Sequence, residues 1–362
     1  MKFLSSISKD VYTGKTCLVR IDINTEGEEI KDSLRALRVG KTISFLSSVC
    51  KRVIILAHRG RPDISERDNP SYSLKPFVDD LSKTWNVPLS FIPSTTISEV
   101  KSELALRKET VVLLENIRLF DGEYRNCKRL SKSLASLGDI YVNDAFSNSH
   151  REHASIVGVA LLLPSYGGWG LEEELTHINE MKKHINDTVL ILGGAKISEK
   201  MNLIQTLLPD AAALLLGGGP ANTVLSQKGW DIKESLAEDV DVSGFINSEK
   251  VYVPDDVVWD RERIVDIGEK TAQRYSNIIS QHTSVLWNGP LGLTEEGFIH
   301  GTDAIVDEIK RSHTQGIIGG GETVMYVKDR LSSSSVFLST GGGALLNYLS
   351  KGSLVALDVL SS

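Results

Sequence analysis

Cysteine is scarce: the 362 residues include only Cys17, Cys50 and Cys127. They are widely spaced and form no Cys-x-x-Cys, so neither a disulfide framework nor a zinc site is expected, and a reducing cytosol fits. Long apolar runs are also missing. Stretches such as 211–216 suit buried strands but fall well short of the roughly 18–20 residues that span a bilayer, so no transmembrane segment is expected. Positive charge of excess is absent, since 40 Lys and Arg stand against 47 Asp and Glu, a formal −7. General attraction to nucleic acid or anionic lipid is therefore not expected, and any anion must be held by locally concentrated arginine or lysine. Residues 1–15 lack the apolar core and small-residue cleavage site of a secretory signal, so secretion is not expected.

What is present is the balance of a chain able to bury a core, with 41% hydrophobic and 24% charged residues. Its length suits two domains of roughly 150–200 residues. Short apolar, β-rich runs alternate with longer stretches of helical period, which marks repeated βα units and parallel sheets. A first series of strands is expected at 17–23, 53–56, 89–92, 111–114 and 140–142, with helices near 34–49, 74–85 and 130–137. A second series is expected at 188–192, 212–216, 251–253, 284–286, 316–318 and 336–338. Between them, after Pro164-Ser-Tyr-Gly-Gly-Trp-Gly170, the residues Leu171, Leu175, Ile178, Met181 and Ile185 recur at helical spacing, which predicts a connecting helix.

Glycine clusters fall where strands should end and helices begin: Gly193-Gly194-Ala195-Lys196, Gly217-Gly218-Gly219, Gly319-Gly320-Gly321-Glu322-Thr323 and Gly341-Gly342-Gly343. Each can be a tight turn, or a backbone cradle for an anion at a helix N-terminus. Their recurrence in one half favours the cradle. Gly40-Lys41-Thr42 imitates the end of a phosphate-binding P-loop, but Arg35 stands where the first glycine is required and the tripeptide lies inside a helical pattern. No Gly-x-Gly-x-x-Gly follows any strand, so a dinucleotide site loses support. Lys196 and Lys200, four apart, are expected to share one face of a helix beginning after Gly194. There they oppose the macrodipole unless a polyanion sits between them, the alternative being ordinary solvated lysines.

Basic residues collect at strand ends of the first series: His58, Arg59 and Arg61 after 53–56, Arg118 after 111–114, and His150-Arg151 after 140–142. Arg35 begins the helix after the first strand. Arginine forks bind phosphate and carboxylate in bidentate fashion, so several on one rim make an anion pocket, although each taken singly also reads as solvated or salt-bridged. His58 and His150 alone read as structural. Asp22 and Asn24 project from one side at the end of the first strand, fit either to recognise a hydroxyl or to form an Asx turn.

These residues resemble phosphoglycerate kinase over nearly the whole chain and in order. The resemblance rests on Val19-Arg-Ile-Asp-Ile-Asn24, Ala57-His-Arg-Gly-Arg-Pro62, Leu114-Glu-Asn-Ile-Arg118, Tyr141-Val-Asn-Asp-Ala-Phe146 and His150-Arg-Glu-His-Ala-Ser155. It continues in Leu192-Gly-Gly-Ala-Lys-Ile-Ser-Glu-Lys200, Trp287-Asn-Gly-Pro-Leu-Gly292 and Ser339-Thr-Gly-Gly-Gly-Ala344. It implies two Rossmann-like three-layer α/β/α domains with mainly parallel sheets, joined by a helix and hinge. The expected division is a triose-binding domain at 1–167, a connecting helix at 168–186, a nucleotide domain at 187–350, and a segment at 351–362 packing back on the first domain.

The implied activity is reversible phosphoryl transfer between 1,3-bisphosphoglycerate and ADP, giving 3-phosphoglycerate and ATP with Mg2+, in glycolysis and gluconeogenesis. The resemblance implies a cytoplasmic monomer whose domains close on their ligands, with no nucleic-acid or membrane partner. By motif position, Asp22 and Asn24 contact the glycerate, while Arg35, His58, Arg61, Arg118 and Arg151 hold its phosphate and carboxyl groups. Gly194, Ala195, Lys196, Lys200, Gly218, Gly219, Asn288, Pro290 and Glu295 face the nucleotide, Glu295 at its ribose. Gly320, Gly321, Glu322 and Thr323 face the terminal phosphates and metal, with Glu322 the metal carboxylate. Arg35, Lys196, Lys200, Gly342 and Gly343 surround the group in flight. The chain departs from the family at Glu322, usually Asp, at Pro220, usually Met, and at Thr25-Glu26, Lys41, Leu345 and Asn347. A rival reading is a nucleotide- or triose-binding sensor or scaffold with weakened turnover.

Overall fold

The computed structural model describes residues 1–24, 30, 33–66, 68–332 and 335–361. Thr25 and Glu26, singled out above, lie outside the described residues. The chain divides into two compact units, Met1–Glu174 with Ser353–Ser362, and Leu175–Gly352.

In the first unit the apolar runs form β1 (Thr16–Ile21), β2 (Arg52–Leu56), β3 (Leu89–Ile92), β4 (Val111–Leu114), β5 (Ile140–Asp144) and β6 (Ser165–Gly167). They make one six-stranded sheet in the order β3-β4-β2-β1-β5-β6. The recorded pairings are parallel, with Val19 opposite Ile55 on one side of β1 and opposite Val142 on the other. Strands of this kind are buried on both faces, which is why they read as continuous apolar runs. Helices α1 (Leu34–Val49), α2 (Val78–Trp85), α3 (Ile97–Leu106) and α4 (Lys128–Ala135) connect them. On α1 the residues Ala36, Val39, Ile43 and Leu46 form the buried stripe. Each fully buried Ile or Leu there contributes roughly 1.5–3 kcal/mol. Gly40 sits in mid-helix, where a Cβ would stand 3.1 Å from the Trp85 ring. Packing on Trp85 accounts for this glycine, and the imitation P-loop is a piece of helix.

The helix expected at 74–85 opens instead as a 3-10 turn, Lys75–Phe77, around Pro76, and becomes α-helical at Val78. The connecting helix is α5 (Trp169–Lys183). Near the chain end, α12 (Val355–Ser361) packs on Ile156 and Val157 of the first unit, and the Ala356 N–H donates to the Ser149 carbonyl at 3.1 Å.

The second unit repeats the layout. Strands β7 (Thr188–Leu192), β8 (Ala213–Leu216), β9 (Val251–Tyr252), β12 (Ser284–Asn288), β13 (Gln315–Gly319) and β14 (Val336–Leu338) form a parallel sheet ordered β14-β13-β12-β7-β8-β9. Helices α6 (Met201–Leu207), α7 (Gly218–Gln227), α8 (Glu269–Ile279), α9 (His300–Ser312), α10 (Gly321–Leu331) and α11 (Gly343–Lys351) accompany it. A separate antiparallel hairpin, β10 (Val257–Asp260) with β11 (Arg263–Ile267), was not expected. No described helix is long and apolar enough to cross a membrane.

Candidate active site

In each sheet the strand order reverses beside its first strand, β1 or β7, and open α/β sheets bind ligands off the carboxyl ends of the strands at such a point. The expected site residues gather there. In the first unit Asp22 and Asn24 follow β1, His58 and Arg61 follow β2, Arg118 follows β4 and Arg151 follows β5.

Asp22 is the hub. It is buried and forms the Asx turn, its Oδ1 accepting from the Asn24 N–H at 3.0 Å. Its Oδ2 lies 3.2 Å from Arg35 Nη1 and accepts from the Ser147 hydroxyl. Burial alone would raise its pKa. Arg35 above all, with Ser147 and the Asn24 N–H, outweighs burial and holds the carboxyl below the usual aspartate range. Asn24 Oδ1 accepts from the Gly60 N–H at 2.7 Å, which ties the end of β1 to the loop after β2 and leaves the Asn24 amide N–H groups for other partners. Arg35 also donates to the Asn24 carbonyl.

His58 does not act as the expected cation. It is buried, and its Nδ1 lies 3.2 Å from Arg20 Nη2. A guanidinium can only donate, so Nδ1 accepts, the proton is on Nε2, and the ring is neutral. Burial and then Arg20 push its pKa well down, so its 3.9 Å approach to Asp22 is no ion pair. Arg20 itself was not singled out. It is fully buried, donating from Nε to Ser155 Oγ at 3.0 Å, and Ser155 in turn donates to Glu123 Oε1 at 2.6 Å. The signal was legible in retrospect: an arginine inside the apolar run of β1 cannot be buried without partners. Ser155 sits on a buried π turn, Ala154–Gly158.

The remaining arginines are short of partners. Arg118 is buried, donates to the Gly60 carbonyl, lies 5.5 Å from the Tyr124 ring centroid, and has an unsatisfied Nε. Burial brings its pKa down to about 10. Arg151 Nε is likewise buried and unsatisfied, and burial followed by Arg61 lowers its pKa. Among the described residues no carboxylate pairs with Arg61, Arg118 or Arg151. His153 is held neutral, at about 3, by burial and then by Arg20, Arg118 and Arg151. Uncompensated guanidinium groups with orphan donors are an anion site by construction.

The second site is built from backbone. The loops after β7 and β12 interlock: the Gly193 N–H donates to the Asn288 carbonyl at 3.0 Å and the Gly194 N–H to the Pro290 carbonyl at 2.7 Å. A Cβ on Gly193 would stand 2.0 Å from the Pro290 oxygen, so only glycine allows this approach. The Gly219 N–H donates to the Gly194 carbonyl at 2.9 Å, bringing in the loop after β8. Gly218 opens α7, Gly321 follows Gly320 into α10, and Gly343 follows Gly342 into α11. Nothing lies within 4 Å of a Cβ placed on Gly321, Gly342 or Gly343. Internal packing does not demand glycine at these three positions; at Gly342 the left-handed φ of +51° does, and Gly321 and Gly343 leave their helix N-termini uncovered.

The helix expected from Ala195 is absent. Lys196 is exposed in an extended loop, and Lys200 closes a 3-10 turn, Ser198–Lys200, before α6 starts at Met201. The interlocked Gly194, at φ +76°, keeps the segment out of the helix. Lys200 is buried and folds its Nζ back to the Lys196 carbonyl at 3.1 Å. Burial lowers its pKa, against the pull of Glu199, Glu238 and Glu322. Glu322 is exposed in the first turn of α10, and Glu295 is exposed in the 3-10 turn Thr294–Glu296. Ala195 is exposed, whereas Asn288 and Pro290 are buried. Thr323 is fully buried and its Oγ1 accepts from the Gly289 N–H at 3.0 Å, so its side chain braces the loop after β12 and is not open to a ligand.

Among the described residues no group of three or more His, Cys, Asp or Glu could hold a metal. Magnesium commonly needs only one or two carboxylates plus substrate phosphates, so a lone, accessible Glu322 beside helix N-termini fits a metal that arrives with a nucleotide.

The model of the family described as phosphoglycerate kinase matches residues 7–352. A phosphoglycerate kinase of Borreliella burgdorferi is 35% identical over 97% of this chain and 97% of its own length. One of Herpetosiphon aurantiacus is 36% identical over 93% and 94%. A solved phosphoglycerate kinase of Coxiella burnetii superposes with a TM-score of 0.79 at 29% identity, over 99% of this chain and 98% of that one. That of Pyrococcus horikoshii, at 24% identity and a TM-score of 0.84 over 100% and 98%, shares the fold. The chain belongs to the phosphoglycerate kinase family.

Proposed function

We propose that the first unit of this kinase binds the triose through its arginines and Asp22, and that the second binds the nucleotide through its glycine-opened helix ends. The reaction is that of the family: phosphoryl transfer between 1,3-bisphosphoglycerate and ADP, yielding 3-phosphoglycerate and ATP, with Mg2+. Arg61, Arg118 and Arg151 take the triose phosphate and carboxyl oxygens: among the described residues no carboxylate pairs with them, and Arg118 and Arg151 each carry a buried, unsatisfied Nε. Asp22 accepts from the glycerate hydroxyl, and Asn24 donates from its side-chain amide. Arg35, with 28% side-chain exposure, reaches the reacting carboxyl. His58 orients Arg20 and keeps a neutral Nε2–H donor.

On the nucleotide side, the N–H groups opening α7, α10 and α11 take phosphate oxygens, and Glu295 accepts from the ribose hydroxyls. Lys200 carries its charge to the transferred group, and Lys196 supports it from the loop. Glu322 holds the magnesium, which when bound neutralises phosphate charge. Phosphoryl transfer asks for alignment and charge neutralisation and little covalent chemistry, so no attacking base is required of the protein. A monomer acting in the cytoplasm belongs to the same reading, the three unbridged cysteines supporting a reducing compartment.

The observation that carries the reading is the pair of unsatisfied buried arginine donors on the rim that holds Asp22. A coupled assay with 3-phosphoglycerate, Mg2+ and ATP tests it. Turnover in the wild type that falls by roughly 10²–10³ in Lys200→Ala is expected; no turnover in either overturns it.

A further inference from the structure

Ser147 belongs to none of the expected site residues, yet it touches their hub. It lies in the 3-10 turn Phe146–Asn148 directly after β5, which pairs with β1 so that Ile21 stands opposite Asp144. That register brings the turn beside Asp22, one residue past β1. The Ser147 hydroxyl donates to Asp22 Oδ2, while Asn148 Nδ2 donates to Ser147 Oγ at 3.1 Å. A hydroxyl has one proton, and the incoming Asn148 donor commits it to Asp22. Asn148 is itself buried, and its carbonyl accepts from the Arg151 N–H at 3.0 Å. The relay therefore runs from the stretch that carries Arg151 to the carboxylate after β1.

A carboxylate offers about four lone-pair sites. Among the described residues two hydrogen bonds reach Asp22, from the Asn24 N–H on Oδ1 and from Ser147 on Oδ2, and Arg35 Nη1 stands 3.2 Å from Oδ2 as an ion-pair partner. On Oδ1 one acceptor position is left. The aspartate end torsion is broad and two-fold, so a single fixed acceptor exists only while both oxygens are held. Resting on the triose assignment above, we propose that Ser147 is a positioning residue for triose recognition: by holding Oδ2 it turns Oδ1 of Asp22 towards the glycerate hydroxyl. Arg35 cannot hold Oδ2 alone, because the same Nη1 also donates to the Asn24 carbonyl and the side chain is partly exposed.

The test is calorimetric binding to the full chain of two probes, 3-phosphoglycerate and its analogue without the hydroxyl, 3-(phosphonooxy)propanoate. Ser147→Ala is expected to weaken 3-phosphoglycerate roughly 5- to 20-fold and the deoxy analogue less than about twofold, the non-additivity of a shared interaction. Ser147→Thr, which keeps the hydroxyl, is expected to restore most of the loss. ADP affinity is expected to stay unchanged. Equal weakening of both triose probes, or no weakening of either, overturns the assignment. If the alanine variant loses its folded baseline, Ser147→Cys, of similar volume and weaker donor strength, is read in the same way. A wild type that binds neither probe overturns the triose reading itself, and this inference with it.

Discussion

The two candidate sites occupy equivalent places in two similarly ordered sheets, yet they are made of different material. The first is built of side chains, with Arg20, Glu123, Ser155, Asp22, Ser147 and Arg118 in a buried, charged network. The second is built of main chain, with glycine loops interlocked by N–H to carbonyl bonds and, among the described residues, Lys200 as its buried cation. A small acid of fixed shape rewards forks and directed acceptors. A polyphosphate tail rewards several N–H donors at helix ends, which carry no side-chain entropy to lose. On the proposed assignment, the same topology would serve two ligand chemistries by changing which atoms line the strand ends.

The difference can be broken from either side. Lys200→Ala removes the one buried charge of the backbone-built site and is expected to lower kcat by roughly 10²–10³, as loss of a transition-state donor does. Its triose KM should move little; steady-state kinetics with both substrates varied decides. Arg151→Ala removes a charged donor from the side-chain site and is expected to weaken triose binding by roughly 1.5–3 kcal/mol, about 10- to 100-fold, with nucleotide KM unchanged. Isothermal titration with each ligand would reveal a wrong assignment as a loss on the nucleotide side. Gly343→Ala places a methyl where nothing lies within 4 Å. Stability by urea titration is therefore expected to hold within about 0.5 kcal/mol, while nucleotide affinity falls by about 1 kcal/mol, roughly fivefold, as the phosphate is held off the helix end.

The smallest effect concerns what the two units share. Each uses a buried aspartate as a brace for a helix start. Asp144 Oδ1 accepts from the Leu171 N–H at 2.8 Å, and Asp266 Oδ2 from the Gly301 N–H at 2.9 Å. Burial raises both to about 6, against the backbone donors. In the unfolded chain aspartate titrates near 3.9. Between about pH 4 and 6 these two groups bind more protons in the folded state than in the unfolded one, so their contribution to stability falls as pH rises through that window and is level above it. Asp266→Asn is expected to flatten this slope whatever it does to the baseline. Urea unfolding at several pH values from 4.5 to 7.5 measures it, and an unchanged slope would remove Asp266 from the account.

Legibility from the sequence followed the density of apolar contacts. Strands buried on both faces were readable to the residue at Thr188–Leu192 and Val336–Leu338, as was the α1 helix, Leu34–Val49. Where burial is partial the pattern blurs. The hairpin strand Val257–Asp260 leaves Val258 and Trp259 exposed and gave no run to read. The strand Ser165–Gly167 is three residues long. In α3 the helical spacing of Ile97, Val100 and Leu104 spans only ten residues, with Val100 and Leu104 buried. The misplaced helix at Lys196 has another cause, because a glycine that reads as a helix start was committed to the neighbouring loop.

By itself the sequence determined the alternation of strands and helices, the family, and the residue types that meet anions, because apolar periodicity and glycine placement are local properties. The tertiary structure alone decided that His58 is neutral, that Thr323 braces a loop, that Lys200 turns inward, and that Ser147 reaches Asp22. Protonation, burial and hydrogen-bond direction depend on groups tens to over a hundred residues away along the chain. Only parallel pairing of distant strands puts those groups within hydrogen-bond reach.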